Sequence, residues 1–84
     1  TTGCFGTTGI STGSGFSTPD DSEGLVKRSA LERASHAYVL ADCSKFNKIY
    51  PITFANISGA TIITDLLDDK KYRDYTTVLE GEEP

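Results

Sequence analysis

One stretch of the sequence decides the fold: Ala37-Tyr38-Val39-Leu40-Ala41, the most apolar strand-like run in a chain of 84 residues. A second run, Thr61-Ile62-Ile63-Thr64, is almost as rich in apolar and β-branched side chains. Nearly continuous runs of this kind are typical of strands in a parallel sheet that is covered on both faces. Working outward from them, we predict strands at residues 2–7, 36–42, 50–54 and 60–65, the third of them weakened by Pro51.

A helix is predicted between the first two strands. Residues 18–22 read Thr-Pro-Asp-Asp-Ser, which supplies capping side chains, an early proline and acidic groups for the first turn. Its predicted buried face consists of Val26, Ala30, Leu31 and Ala34, which recur at helical spacing. A second, weaker helix is predicted at residues 66–75, and the acidic residues 79–84 are predicted to fray. This order of strands and helices predicts an α/β fold with a parallel sheet.

The composition of the chain weighs against several kinds of function. The formal net charge is −4 and the isoelectric point is about 4.7, which weighs against nucleic-acid binding by this segment. No apolar run approaches the roughly 20 residues that a membrane-spanning helix needs. Cys4 and Cys43 match no metal or redox spacing, so we predict two buried, reduced thiols, no metal and a cytoplasmic location. The first 18 residues carry no charge, and we expect the chain to be a piece of a longer protein.

A glycine-rich stretch, Phe5-Gly6-Thr7-Thr8-Gly9-Ile10, follows the first predicted strand. Glycine lets a backbone turn tightly and approach a ligand closely. The stretch lacks the Gly-Lys-Ser/Thr of a P-loop and the spacing of a dinucleotide site. Because ligands of open α/β sheets bind at the carboxyl ends of strands, it is a candidate binding loop. A plain turn is the alternative.

Glu23 and Lys27 lie four residues apart and therefore share one face of the predicted helix. They form either a solvated ion pair or part of a polar site that faces a cleft. A helix start normally attracts phosphate. Here Asp20, Asp21 and Glu23 make it negative, so these carboxylates suit sugar hydroxyls, and a phosphate must be held elsewhere.

The run Asp42-Cys43-Ser44-Lys45-Phe46 directly follows the most apolar strand. Polar residues at the carboxyl end of a strand are a common place for function. Asp42 can accept hydrogen bonds, Ser44 can donate and accept, and Lys45 can meet an anion. The alternative is that Asp42 merely caps the turn and that Lys45 is simply exposed.

These motifs together resemble a known family. The glycine-rich stretch, Gly15-Phe16-Ser17-Thr18, Glu23-x-x-Val26-Lys27-Arg28, Leu40-Ala41-Asp42-x-Ser44-Lys45-Phe46 and Ile62-Ile63-Thr64-Asp65 occur in the order seen in the C-terminal sensor domain of DeoR-type bacterial transcriptional regulators. The resemblance extends over residues 4–65. It implies a partial Rossmann-like parallel sheet, similar to the ribose-5-phosphate isomerase and CoA transferase folds. It also implies a domain that binds a phosphorylated sugar without catalysis and that is linked to a winged helix-turn-helix.

The resemblance also implies roles for individual residues. Gly6, Thr7 and Gly9 would line the floor of the pocket, Glu23 and Lys27 would form a polar pair, and Asp42, Ser44 and Lys45 would complete the ligand-binding set. Residues 1–84 would be the C-terminal part of one effector-binding domain, without the DNA-binding domain and without the first half of the sensor domain.

Three functional hypotheses follow. The first is the effector-sensing fragment of a repressor of sugar metabolism, homo-oligomeric in the full-length protein, with no cofactor, and contacting DNA only through the absent winged helix-turn-helix. The second is a sugar-phosphate isomerase of the same fold, in which Glu23 is the base and Lys27 or Lys45 stabilises an enediolate. The third is a piece that mainly supplies an oligomer contact.

Overall fold

The computed structural model describes residues 2–81, which contain seven strands and one α-helix. In chain order these are β1 (Thr2–Gly6), β2 (Gly9–Ser11), β3 (Gly15–Thr18), α1 (Asp21–Arg33), β4 (His36–Leu40), β5 (Ile52–Ala55), β6 (Thr61–Thr64) and β7 (Val78–Glu80). Short 3-10 helices span Cys43–Lys45, Ile57–Gly59 and Lys70–Asp74.

Four of the strands form a parallel sheet in the order β1-β4-β6-β7. The prediction of an α/β fold with a parallel sheet is thus confirmed, and three of the four predicted strands belong to this sheet. The register pairs Gly6 with Leu40, Leu40 with Ile63 and Ile63 with Leu79. The carboxyl ends of all four strands therefore lie along one edge of the sheet.

The remaining strands form an antiparallel sheet in the order β2-β3-β5, which the sequence did not predict. The last two residues of the glycine-rich stretch, Gly9 and Ile10, are therefore the start of a hairpin. Gly15 has a φ of 77°, and a Cβ at this position would collide with the carbonyl of Ala55. The strand predicted at residues 50–54 occurs instead at Ile52–Ala55, after Pro51, and it joins this second sheet.

Helix α1 begins within the predicted capping run of residues 18–22, and the structure identifies Asp20 as its N-cap. The Asp20 carboxylate accepts hydrogen bonds from the backbone N–H groups of Ser22 at 2.9 Å and Glu23 at 3.2 Å. The predicted buried face is wrong in one respect, because Val26 is 69% exposed. Gly24 is the buried residue of the helix, and a Cβ there would lie 2.6 Å from a methyl carbon of Ile52. The backbone of α1 approaches β5 closely at Gly24. The helix therefore faces the sheet with Gly24 and not with Val26.

The second predicted helix, at residues 66–75, is wrong. Only the 3-10 helix Lys70–Asp74 forms, with the Asp69 carboxylate accepting from the backbone N–H of Lys71 at 3.1 Å. Acidic side chains such as Asp69 favour caps over helix interiors, which keeps this segment short. The predicted fraying of residues 79–84 is wrong for residues 79 and 80, which belong to β7, and residues 82–84 lie outside the described part of the chain.

The core lies between the two sheets. One face of the parallel sheet contributes Val39, Ile62 and Val78, and the antiparallel sheet contributes Ile10, Phe16 and Phe54. The prediction that the parallel strands are covered on both faces is wrong for residues 2–81, because Leu40 and Leu79 on the other face are each 48% exposed.

Both cysteines are free, and both are exposed, so the predicted burial of Cys4 and Cys43 is wrong. Cys4 lies on the open face of the edge strand β1, and Cys43 lies in the turn after β4, so neither position is enclosed. Within residues 2–81 no helix is long and apolar enough to cross a membrane, and no group of three metal-ligating side chains occurs.

Candidate functional site

Lys27 reaches across from α1 to the carboxyl end of β1. Its Nζ donates a hydrogen bond to the carbonyl of Gly6 at 2.7 Å and pairs with Oε1 of Glu23 at 2.6 Å. The Nζ atom also lies 5.3 Å from the centre of the Phe54 ring. The Lys27 side chain is only 18% exposed, whereas that of Glu23 is 47% exposed. The pair is therefore more than a solvated i, i+4 contact, because it fixes α1 against the end of the sheet.

Thr7 and Gly9, predicted to line the pocket floor, are both buried. The Thr7 hydroxyl lies 3.0 Å from the carbonyl of Gly9 and 3.2 Å from that of Ser17. A Cβ at Gly9 would lie 2.5 Å from the carbonyl of Lys48, so the hairpin needs glycine at this position for packing. Both residues thus have internal partners, and their role toward a ligand stays a prediction.

Asp42 organises the polar turn, which we define as residues 42–45. Its Oδ1 accepts hydrogen bonds from the backbone N–H of Ser44 at 3.0 Å and from the Ser44 hydroxyl. The Ser44 hydroxyl is the main cause that lowers the pKa of Asp42 from its ordinary 3.8, with smaller contributions from the Ser44 N–H and the Lys45 charge. Asp42 therefore does cap this turn, and it does so as an exposed carboxylate.

Asp65 holds the polar turn against β6, and it was not among the predicted site residues. Its Oδ1 accepts hydrogen bonds from the backbone N–H of Cys43 at 3.0 Å and from that of Leu66 at 2.8 Å. The Thr64 hydroxyl donates to the same atom at 3.2 Å. The signal was present, because Asp65 follows β6 directly, as the polar turn follows β4.

An open depression of about 540 Å³ lies at the carboxyl ends of β4 and β6. Its lining consists of Leu40, Ala41, Asp42, Lys45, Ile63, Thr64 and Asp65. Among these described residues Lys45 is the one cation, and it shares the lining with the carboxylates of Asp42 and Asp65. Carboxylates accept hydrogen bonds from hydroxyl groups, and a single ammonium group can meet one anionic oxygen. The lining therefore suits a polyhydroxylated ligand better than a highly charged one.

The structure brings six of the eight predicted site residues together as two neighbouring sets, whereas Thr7 and Gly9 lie inside the hairpin. Gly6, Glu23 and Lys27 form one set at the end of β1, and Asp42, Ser44 and Lys45 form the other after β4. Because β1 and β4 are hydrogen-bonded neighbours, with Gly6 beside Leu40, both sets occupy the same edge of the sheet. Within residues 2–81 no hydrogen bond joins one set to the other.

Tyr72 anchors the chain immediately after the polar turn. Its hydroxyl oxygen lies 3.1 Å from the carbonyl oxygen of Ile10 and 2.8 Å from Oδ1 of Asn47, one of which accepts its single proton, and it accepts from the Asn47 N–H at 3.1 Å. Burial raises the pKa of Tyr72. Asn47 itself has a φ of 62°, a left-handed conformation that asparagine tolerates better than most residues. The tyrosine thus fixes the point at which the turn returns to the core.

Fold, strand order and the position of these motifs agree with a match to a family model described as the DeoR C terminal sensor domain, which covers residues 2–66. The chain belongs to this family, a class of sensor domains of transcriptional regulators, and the resemblance seen in the sequence is confirmed.

The chain is also similar to part of a longer protein. The chain is 49% identical over 71 residues to a protein of Bacillus subtilis (strain 168) named "Uncharacterized HTH-type transcriptional regulator FruR". The aligned part covers 84% of this chain but only 28% of the relative.

Proposed function

We propose that this chain is the effector-binding part of a DeoR-type repressor of sugar metabolism, and that it binds a phosphorylated sugar without catalysis. The observation that carries the proposal is the pair of polar sets at the carboxyl ends of β1 and β4, next to the depression of about 540 Å³. Ligands of open α/β sheets bind at such an edge.

The two sets suggest a division of roles toward the ligand. Asp42 and Ser44 present acceptors and a hydroxyl to sugar hydroxyl groups, while Lys45 meets an anionic oxygen. Lys27 is held by the Gly6 carbonyl and by Glu23, so it orders the edge and leaves Glu23 half-exposed to accept from a hydroxyl. The remaining phosphate contacts come from parts of the longer protein outside residues 1–84.

In the longer protein the ligand would act by shifting the relative populations of the protein's conformations. It favours one arrangement of a cytoplasmic homo-oligomer and thereby changes how an N-terminal helix-turn-helix meets DNA. The relative named as an HTH-type regulator supports this arrangement, since it is far longer than the aligned segment. No cofactor has a part in the proposal.

The test is calorimetric titration of the full-length protein with a panel of sugar phosphates. One member is expected to bind, and Lys45→Ala and Glu23→Ala are each expected to weaken it by about 10-fold or more, since a hydrogen bond to a charged group contributes roughly 1.5–3 kcal/mol. Lys48→Ala and Glu32→Ala are matched controls, because both residues are exposed and lie outside the two sets. Equal losses in control and site variants, or no binding of any sugar phosphate, would contradict the proposal.

The same titration separates this proposal from the isomerase hypothesis. NMR spectra of each sugar phosphate are recorded after prolonged incubation with the protein. A regulator leaves the sugar unchanged. Protein-dependent aldose–ketose interconversion that is lost in Glu23→Gln would instead establish an isomerase with Glu23 as its base.

A further inference from the structure

The parallel sheet has one closed face and one open face. Side chains alternate along each strand, so in-register neighbours point to the same side. The open face includes Cys4, Gly6, Tyr38, Leu40, Ile63 and Leu79, with the polar residues Thr2, His36 and Thr61 at its other end. Leu40, Ile63 and Leu79 stand side by side across three strands, and the two leucines are each 48% exposed.

This open face is unusual for a parallel sheet. Parallel strands occur almost entirely in sheets that are covered on both faces, because helical crossovers lie against them. In the described residues α1 and the antiparallel sheet cover only the opposite face, which carries Val39, Ile62 and Val78. A row of aliphatic side chains in contact with water thus marks a surface that another element covers.

We propose that the open face is covered by an amphipathic helix of the same polypeptide, drawn from the part of the longer protein that lies outside residues 1–84. The length of the relative supports this occupant, since the aligned segment is only 28% of it. The size of the row supports it too. Its three strands at about 4.8 Å spacing span roughly 10 Å, which one helix of about 10 Å diameter can cover.

A second copy of the chain fits this face less well. A stable dimer usually buries about 1,200–2,000 Å² in total, far more than a row of three aliphatic side chains offers. The aliphatic row is also continuous with the depression, because Leu40 and Ile63 line both. The covering helix would therefore form the missing wall of the depression, a consequence that rests on the proposed function, whereas the covering itself does not.

The first test places a charge in the row of the full-length protein. Leu79→Lys is expected to lower Tm by about 5 °C or more, because the lysine would be buried under the helix. Ile49→Lys is the matched control, since Ile49 is an apolar residue that is 66% exposed and lies in a loop away from this face. Its Tm is expected to change by less than about 1 °C. Light scattering should give the same mass for both variants and the parent.

Two results would overturn the proposal: an equal change in Tm for the two variants, or a loss of oligomer mass confined to Leu79→Lys, which would assign the face to a second copy. Because these outcomes need no ligand, they are separate from failure of the sugar-phosphate titration.

A second measurement does not depend on whether Leu79→Lys folds. Cys4 lies in register with Tyr38 on the open face, whereas Cys43 lies in the polar turn. In the native full-length protein, alkylation of Cys4 is expected to be at least 10-fold slower than in urea, as determined by peptide mapping. Cys43 should react in the native protein at nearly its rate in urea. Equal native rates for the two thiols would show that the face is open and would overturn the proposal.

Discussion

The chain after β4 divides into two adjoining segments that are held in opposite ways. The polar turn, residues 42–45, is mostly exposed and is ordered by the carboxylates of Asp42 and Asp65. The next three residues, which we call the anchored segment (residues 46–48), are fixed by the core. There the rings of Phe46 and Tyr72 meet edge to face at 4.9 Å, and the Lys48 N–H donates to the carbonyl of Ile10 at 3.2 Å.

This difference shows how the fold can combine an adaptable binding loop with a rigid base. A solvent-exposed hydrogen bond within the protein can be replaced by one to water or to a ligand at little cost in free energy. A buried polar group that loses its partner, in contrast, lowers the free energy of unfolding. The polar turn can therefore rearrange around a ligand while the anchored segment keeps its position. Binding residues commonly lie on loops that a rigid scaffold positions in this way.

The largest expected effect comes from breaking the anchor. Tyr72→Phe removes the buried hydroxyl that joins Asn47 to the Ile10 carbonyl, so the link between the anchored segment and the core is lost. We expect the free energy of unfolding to fall by about 1–3 kcal/mol, measured by urea denaturation. Tyr75→Phe is the matched control, because Tyr75 is 52% exposed. If both variants unfold at the same urea concentration, Tyr72 is not an anchor.

An intermediate effect is expected from the clamp between the polar turn and β6. Asp65→Ala removes the oxygen that accepts from the Cys43 N–H. Hydrogen exchange of the Cys43 amide should become faster, and stability should fall by about 1 kcal/mol. Asp65→Asn keeps an acceptor oxygen and should restore most of the protection. An asparagine variant that exchanges as fast as the alanine variant would show that the charge of Asp65, rather than its geometry, holds the turn.

The sequence could predict those parts of the fold that depend on local pattern. The apolar runs of β4 and β6 and the capping run at residues 18–22 before α1 are of this kind, and the polar turn was placed at the strand end on the same reasoning. The β2–β3 hairpin was missed because its glycine, serine and threonine residues lack the alternation of apolar and polar side chains that identifies a strand.

Contacts between distant residues could not be predicted from spacing. Tyr72 and Ile10 are 62 residues apart, and nothing near either residue indicates the hydrogen bond between them. The same limit applies to the candidate site. That Thr7 and Gly9 are enclosed by the hairpin follows only once Ser17 and Lys48 are brought beside them.

The smallest expected effect concerns the charge of the polar turn. In Ser44→Ala the carboxylate of Asp42 loses its hydroxyl donor, so the pKa of Asp42 should rise toward its ordinary 3.8. The measurement is a carboxyl-carbon NMR titration, with the exposed serine variant Ser58→Ala as control. A lowered pKa means that the stabilising contribution of Asp42 is present above pH 3.8 and is lost as the pH falls through the lowered value.

Ser44→Ala should therefore reduce the stability that the Asp42 carboxylate contributes relative to an Asp42→Asn variant at every pH above 3.8, neutral pH included, and the difference between the parent and Ser44→Ala backgrounds should disappear as the pH falls through the lowered value. The anchored segment contains no carboxylate and should show no such dependence. If Asp42 titrates identically in the parent and in Ser44→Ala, the hydroxyl does not order the turn in solution. The order of the polar turn would then rest on Asp65 and on the bond from the Ser44 N–H to Asp42.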